Sequence, residues 1–117
     1  MGKVEDEWVP VSFVDGVPVA PGRWLRSMLV LRLLGAERTL TVGDLVAGVE
    51  HAGFTFVGRP GKVVSDALRA EVRRGRVHQV GRGRYRAGHV AKSSQHLMRR
   101  RVAALHRAVA QERRAAA

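Results

Sequence analysis

Apolar positions over residues 1–22 follow no helical period. Val9, Val11, Phe13, Val14, Val17 and Val19 are interrupted by Pro10, Asp15-Gly16, Pro18 and Pro21-Gly22. This predicts an extended arm or short hairpin turning at Asp15-Gly16, since proline breaks the ladder and Asp-Gly favours a tight turn. Helical spacing then begins. Trp24, Leu25, Met28, Leu29, Leu31, Leu33 and Leu34 predict a first helix over about 23–34, entered through Pro21 and stopped by Gly35. Most of its circumference is apolar, which makes it the expected central core helix.

Arg38-Thr39-Leu40 reads as a short strand. Thr41-Val42-Gly43-Asp44 has the shape of a capping box and opens a second helix over about 42–52, with Leu45, Val46 and Val49 inward and Gly53 as its stop. A loop with two anchoring phenylalanines, Phe54 and Phe56, leads to a third helix over about 62–74. Arg76-Val77-His78-Gln79-Val80 and Arg84-Tyr85-Arg86 then flank Gly81-Arg82-Gly83, which predicts a β-hairpin on a three-residue loop. A last helix covers about 93–114. The expected fold is α+β and mostly helical, with an arm at 1–22, a domain at 23–88 and a basic C-terminal helix within 89–117.

Charge changes this picture from a fold into a surface. The chain has 117 residues, no Cys and a net charge of +11, with 18 Arg and 3 Lys against 10 acids. Codon bias in GC-rich bacterial genomes favours Arg over Lys but does not remove acids, so the net charge stands apart from it. Residues 1–22 carry −3, 23–58 carry +1, 59–88 carry +7 and 89–117 carry +6. Such asymmetry marks a face for a polyanion, and nucleic acid is the commonest one. The competing reading is a generally basic, solvated surface.

Several classes are excluded by what the chain lacks. Without thiols there is no disulfide framework and no thiolate metal site. The densest apolar run, 28–34, is broken by Arg32 and falls far short of the roughly 20 residues that cross a bilayer. The acidic start of the chain, Glu5-Asp6-Glu7, has no signal-peptide character. A soluble, cytoplasmic and nucleoid-associated protein is expected, without membrane contact. His51, His78, His89, His96 and His106 have no metal-ligand spacing, and the acids offer no acid/base pair. Neither an enzyme nor a cofactor site is expected.

The third helix holds the candidate chemistry. On a wheel of about 100° per residue with Lys62 at zero, Asp66, Arg69 and Arg73 fall within about 40° of it. Val64, Ala67, Leu68 and Val72 lie across the helix and dock it on the core. The outward stripe suits the roughly 12 Å major groove, where Arg69 and Arg73 can fork onto guanine or grip phosphates. Asp66 can orient one of them or accept from cytosine; the bland alternative is an ordinary Asp66–Arg69 surface pair. In the hairpin, Arg84 and Arg86 share one face, Val77 and Tyr85 the other, and Arg82 sits at the tip between glycines that let the backbone approach a phosphate or a narrow minor groove.

This order of elements, with the run from Ser65 through Arg69 and Arg73-Arg74-Gly75-Arg76 to Arg82-Gly83-Arg84-Tyr85-Arg86, resembles a winged helix-turn-helix over about residues 23–88. It is similar to the linker-histone globular domain and to the N-terminal domain of AbiEi-type antitoxins. The resemblance implies a recognition helix at the third helix and a wing at 76–88. Double-stranded DNA is the implied partner, held by Lys62, Ser65, Asp66, Arg69, Arg73, Arg74, Arg76, Arg82, Arg84 and Arg86. Apart from the resemblance, the Arg99-Arg100-Arg101 run of the last helix can add phosphate contacts or form a solvated face. The loop over 53–61 is longer than the tight turn of the simplest members.

In the last helix Met98, Val102, Leu105 and Val109 recur at spacings of 4, 3 and 4, an a/d-like seam. It can pair with its copy, giving the expected homodimer, or fold back onto its own domain. The leading reading is a sequence-specific bacterial or phage transcriptional regulator. The alternatives are a nucleoid-type architectural protein with little base preference, and an RNA- or protein-binding winged helix.

Overall fold

The computed structural model describes residues 8–117; the acidic residues at 5–7 lie outside them. The fold is α+β, dominated by four helices, with two small antiparallel sheets. β1 (Phe13–Val14) and β2 (Val17–Pro18) form the N-terminal hairpin. Asp15 and Gly16 make its turn at φ 50° and 80°, as a two-residue turn with both central residues left-handed requires. The chain then runs beside Thr55, whose N–H donates to the Pro18 carbonyl at 2.8 Å while its own carbonyl accepts from Ala20 at 3.1 Å. The arm is thereby tied to the long loop that follows the second helix.

α1 (Gly22–Ala36) is the central helix, and Leu25, Leu29, Val30 and Leu33 are fully buried on it. It does not stop at Gly35. Glu37 takes the left-handed cap at φ 54° and donates its N–H to the Leu33 carbonyl. Glycine inside a helix costs about 1 kcal/mol relative to alanine, which the packing of α1 offsets, so the helix runs through it. β3 (Leu40–Thr41) follows, starting two residues later than expected, and α2 (Val42–His51) begins directly on the Thr41 capping box. Thr41 Oγ1 accepts from the Asp44 N–H at 3.0 Å, and Asp44 accepts from the Thr41 N–H at 2.9 Å. At the far end Gly53 donates to Glu50 and Phe54 to Val49, closing a Schellman cap that folds Phe54 back over Val49 in the core.

α3 (Pro60–Arg73) starts earlier than predicted, with Pro60 in the first turn where its missing N–H has no partner to lose. Val64 and Leu68 are fully buried. β4 (Val77–Gly81) and β5 (Arg84–Ala87) complete a three-stranded sheet in the order β3-β5-β4. Leu40 faces Tyr85 and Thr41 faces Arg84; His78 faces Arg86. The hairpin loop is two residues, Arg82-Gly83, rather than three. The register shifts between Gln79 and Gly81, and this bulge absorbs the extra residue. At the hairpin base Gly88 lies on the Gly75 backbone so closely that a Cβ there would overlap the Gly75 carbonyl oxygen.

α4 (Lys92–Ala116) packs along α1. The seam expected to pair with a second copy is spent inside the chain. Met98, Leu105 and Val109 are buried in the core and Val102 is half-buried. Its spacing of 4, 3 and 4 serves α1 as well as it would serve another α4, because both present an apolar helix face. The same core takes Ala20 from the arm, Leu40 and Tyr85 from the sheet and Val64 from α3. Among the described residues no helix is long and apolar enough to cross a membrane.

Candidate nucleic-acid interface

Burial of Val64, Ala67, Leu68 and Val72 fixes the rotation of α3 and turns Lys62, Asp66, Arg69 and Arg73 to solvent. Ser65 lies half-buried beside them. Asp66 holds two of the three cations: Lys62 Nζ donates at 2.7 Å to Oδ2, and Arg69 Nη1 stands 3.3 Å from Oδ1. The hydrogen bond from Lys62, then the positive charges of Lys62 and Arg69, hold the Asp66 carboxyl below the usual carboxylate range. All three side chains remain largely exposed, so the pairing is water-screened and exchangeable for another anion.

The tip of the β4–β5 hairpin is docked rather than free. The Val42 N–H donates to the Gly83 carbonyl at 3.0 Å, and the methyls of Val42 also lie beside Gly61 and Gly83. The hairpin tip and the starts of α2 and α3 therefore meet at one end of the molecule. This brings the backbones that carry Arg82 and Lys62 together. Arg82, Arg84 and Arg86 are exposed, while Tyr85 and Val77 point into the core as the period of two requires. Along α3 the basic stripe runs from Lys62 to Arg73, about 16 Å at 1.5 Å per residue.

At the other end of α3 the sequence-derived site divides. Arg74 and Arg76 do not join the outward stripe. Glu71, 1% exposed, accepts from Arg76 through two bonds, Nε to Oε1 at 2.6 Å and Nη2 to Oε2 at 3.1 Å. Arg26 of α1 stands 3.5 Å from Oε2 and Arg74 4.0 Å from it. The geometry begins in the backbone. Gly75, at φ 75°, donates to Val72, and the Arg76 N–H donates to the Glu71 carbonyl, a Schellman cap that returns Arg76 over the last turn of α3. Its guanidinium then meets the Glu71 carboxylate with little further ordering.

Glu71, Arg26 and Arg23 lie outside the residues that the sequence points to, whereas Arg101 belongs to the basic run at 99–101 and donates through Nη1 to Ser27 Oγ at 3.1 Å. One signal was present: Glu71 falls at about 180° on the α3 wheel, amid the apolar positions, where an acid must find a partner. Arg26 and Arg23 give no such sign, because only the fold brings α1 to α3. Arg99 and Arg100 are not carried to the α3 stripe either. They lie on α4, which packs on α1, and Arg99 donates to Gln95 on its own helix at 3.3 Å.

No known protein family, curated protein or solved structure matches the chain.

Proposed function

We propose that the protein binds double-stranded DNA as a bacterial or phage transcriptional regulator of the winged helix-turn-helix kind. In this reading α3 enters the major groove and the β4–β5 hairpin lies on the backbone or minor groove. The observation that carries it is the pairing of two basic, outward-facing features on adjoining elements. Lys62, Arg69 and Arg73 line one side of α3, and Arg82, Arg84 and Arg86 line a hairpin whose tip docks beside the start of α3. The element order α1-β3-α2-α3-β4-β5, with β3 pairing on the hairpin, supports the same reading.

Arg69 and Arg73 are the candidate base readers, and the hairpin arginines hold phosphates. Asp66 favours a second reading. Because it pairs with both Lys62 and Arg69, base reading by Arg69 has to displace that pairing first, which favours binding dominated by phosphates with little base preference.

Fluorescence anisotropy of random-sequence duplex, titrated across a range of salt with unlabelled RNA as competitor, tests the proposal. DNA binding gives a linear log–log slope of about 0.9 per phosphate contact that resists RNA. Absence of binding at low salt rejects it. A selected site preferred about a thousandfold or more over random duplex identifies a regulator, whereas near-equal affinities identify the architectural reading.

A further inference from the structure

We infer that the cleft between the start of α1, the C-terminal end of α3 and the N-terminal half of α4 binds a small phosphate-bearing anion. It encloses about 340 Å³, within the roughly 300–1,000 Å³ of small-molecule sites. Arg23, Arg26, Arg74, Arg76 and Arg101 line it, and Glu71 is the acid in its wall.

Among the described residues of the wall, Glu71 is the carboxylate set against Arg23, Arg26, Arg74 and Arg76, and one carboxylate does not balance four guanidinium groups. Arg76 takes both Glu71 oxygens at close range. Arg26 and Arg74 stand off at 3.5 and 4.0 Å, at or beyond the limit of a hydrogen bond, so their N–H groups keep capacity for another acceptor. Like charges gathered around a partly enclosed cleft favour an added anion, and the planar fork of arginine matches phosphate oxygens in pairs. Ser27 is 2% exposed in the wall, where its Oγ accepts from Arg101 Nη1 at 3.1 Å and keeps its own O–H as a donor. Leu97 adds an apolar edge, 47% exposed. A phosphate carried on a small organic body therefore suits the cleft.

The cleft is separate from the face proposed for DNA. Glu71 lies about 180° around α3 from Lys62, so a duplex seated on the stripe would be across the helix from it. A free phosphate compound, rather than a backbone phosphate, is the expected occupant. This holds whether or not the stripe binds DNA.

The test is calorimetric titration of the full chain with inorganic pyrophosphate at constant ionic strength. Saturable binding at one site per chain is expected. Arg23→Glu, an exposed substitution at the cleft rim, should weaken it at least tenfold, and Ser94→Glu should do the same from the α4 wall. Arg38→Glu, the same charge change outside the cleft, should stay within twofold. Lack of saturation overturns the proposal, as does an equal loss in Arg38→Glu, which would mean bulk charge alone. Adding a random 15-base-pair duplex separates the two sources of phosphate. Simultaneous binding supports a free ligand, and one-for-one displacement of pyrophosphate overturns it in favour of backbone phosphate.

Discussion

α3 carries two acids five residues apart, and each gathers cations, yet the two clusters differ in kind. Asp66 takes Lys62 and Arg69 from its own helix, on the outside, with its side chain 43% exposed. Glu71 is buried and draws Arg26 from α1, Arg74 from the helix cap and Arg76 from the approach to β4. The outer cluster joins nothing that the helix does not already join, and water screens it. The inner cluster ties three elements together in a place where an unpaired charge is costly. Similar charges thus give an exchangeable surface on one side of the helix and a structural knot on the other. What separates them is burial and the origin of the partners.

The sharpest way to break this contrast is to remove the buried acid. Glu71→Ala leaves Arg76 and Arg26 without their carboxylate and should destabilise the fold by about 3 kcal/mol, read from urea denaturation. Asp66→Asn at neutral pH should leave the denaturation midpoint nearly unchanged. A Glu71→Ala loss below about 0.5 kcal/mol, the ordinary scale of a surface substitution, would erase the distinction.

The outer face was legible because its logic is local. A period of 3.6 separates Val64 and Leu68 from Lys62 and Arg69 within a single helix, and a period of two separates Tyr85 from Arg84 and Arg86. The capping box at Thr41–Asp44 and the turn at Asp15-Gly16 are equally local. Of the inner cluster, an acid at Glu71 amid apolar positions is legible, but its partner Arg26 is not, because Arg26 lies 45 residues away and only packing joins them. The α4 seam shows the same limit. Met98, Leu105 and Val109 mark an apolar face without saying what covers it, and α1 of the same chain does. Gly35 predicts a stop, yet the helix continues to Ala36 and Glu37 forms the cap. A glycine permits a left-handed residue but does not compel one.

If the outer face reads DNA, its members should divide by role. Arg73→Ala or Arg69→Ala should cost about 1–3 kcal/mol on a selected site and relax base preference at one position. Arg73 should show the larger loss, since Arg69 must first leave Asp66. Arg82→Ala should weaken selected and random duplexes alike and lower the salt slope by about one unit. Competition anisotropy on both duplexes measures each. Identical profiles for α3 and hairpin variants would exclude base reading by α3 and leave phosphate binding alone.

The smallest effect concerns acid. Asp66 is held below its ordinary value of 3.8, first by the Lys62 hydrogen bond, and Asp44 is lowered by the Thr41 backbone N–H and hydroxyl. A carboxyl lowered in the folded state binds fewer protons than in the unfolded chain. Its contribution is therefore complete above the unfolded value and is lost as pH falls through the folded one. The stability difference between the native chain and Asp66→Asn should be small and constant from pH 7 to 5, then close only below about 3.8. Urea midpoints at one-unit pH steps measure it. A difference that decayed near pH 6 would implicate a histidine and remove Asp66 as the group that organises Lys62 and Arg69. A constant difference would show that the outer cluster stays ionised over the whole range in which DNA binding can be measured, so that any acid dependence of such binding originates elsewhere.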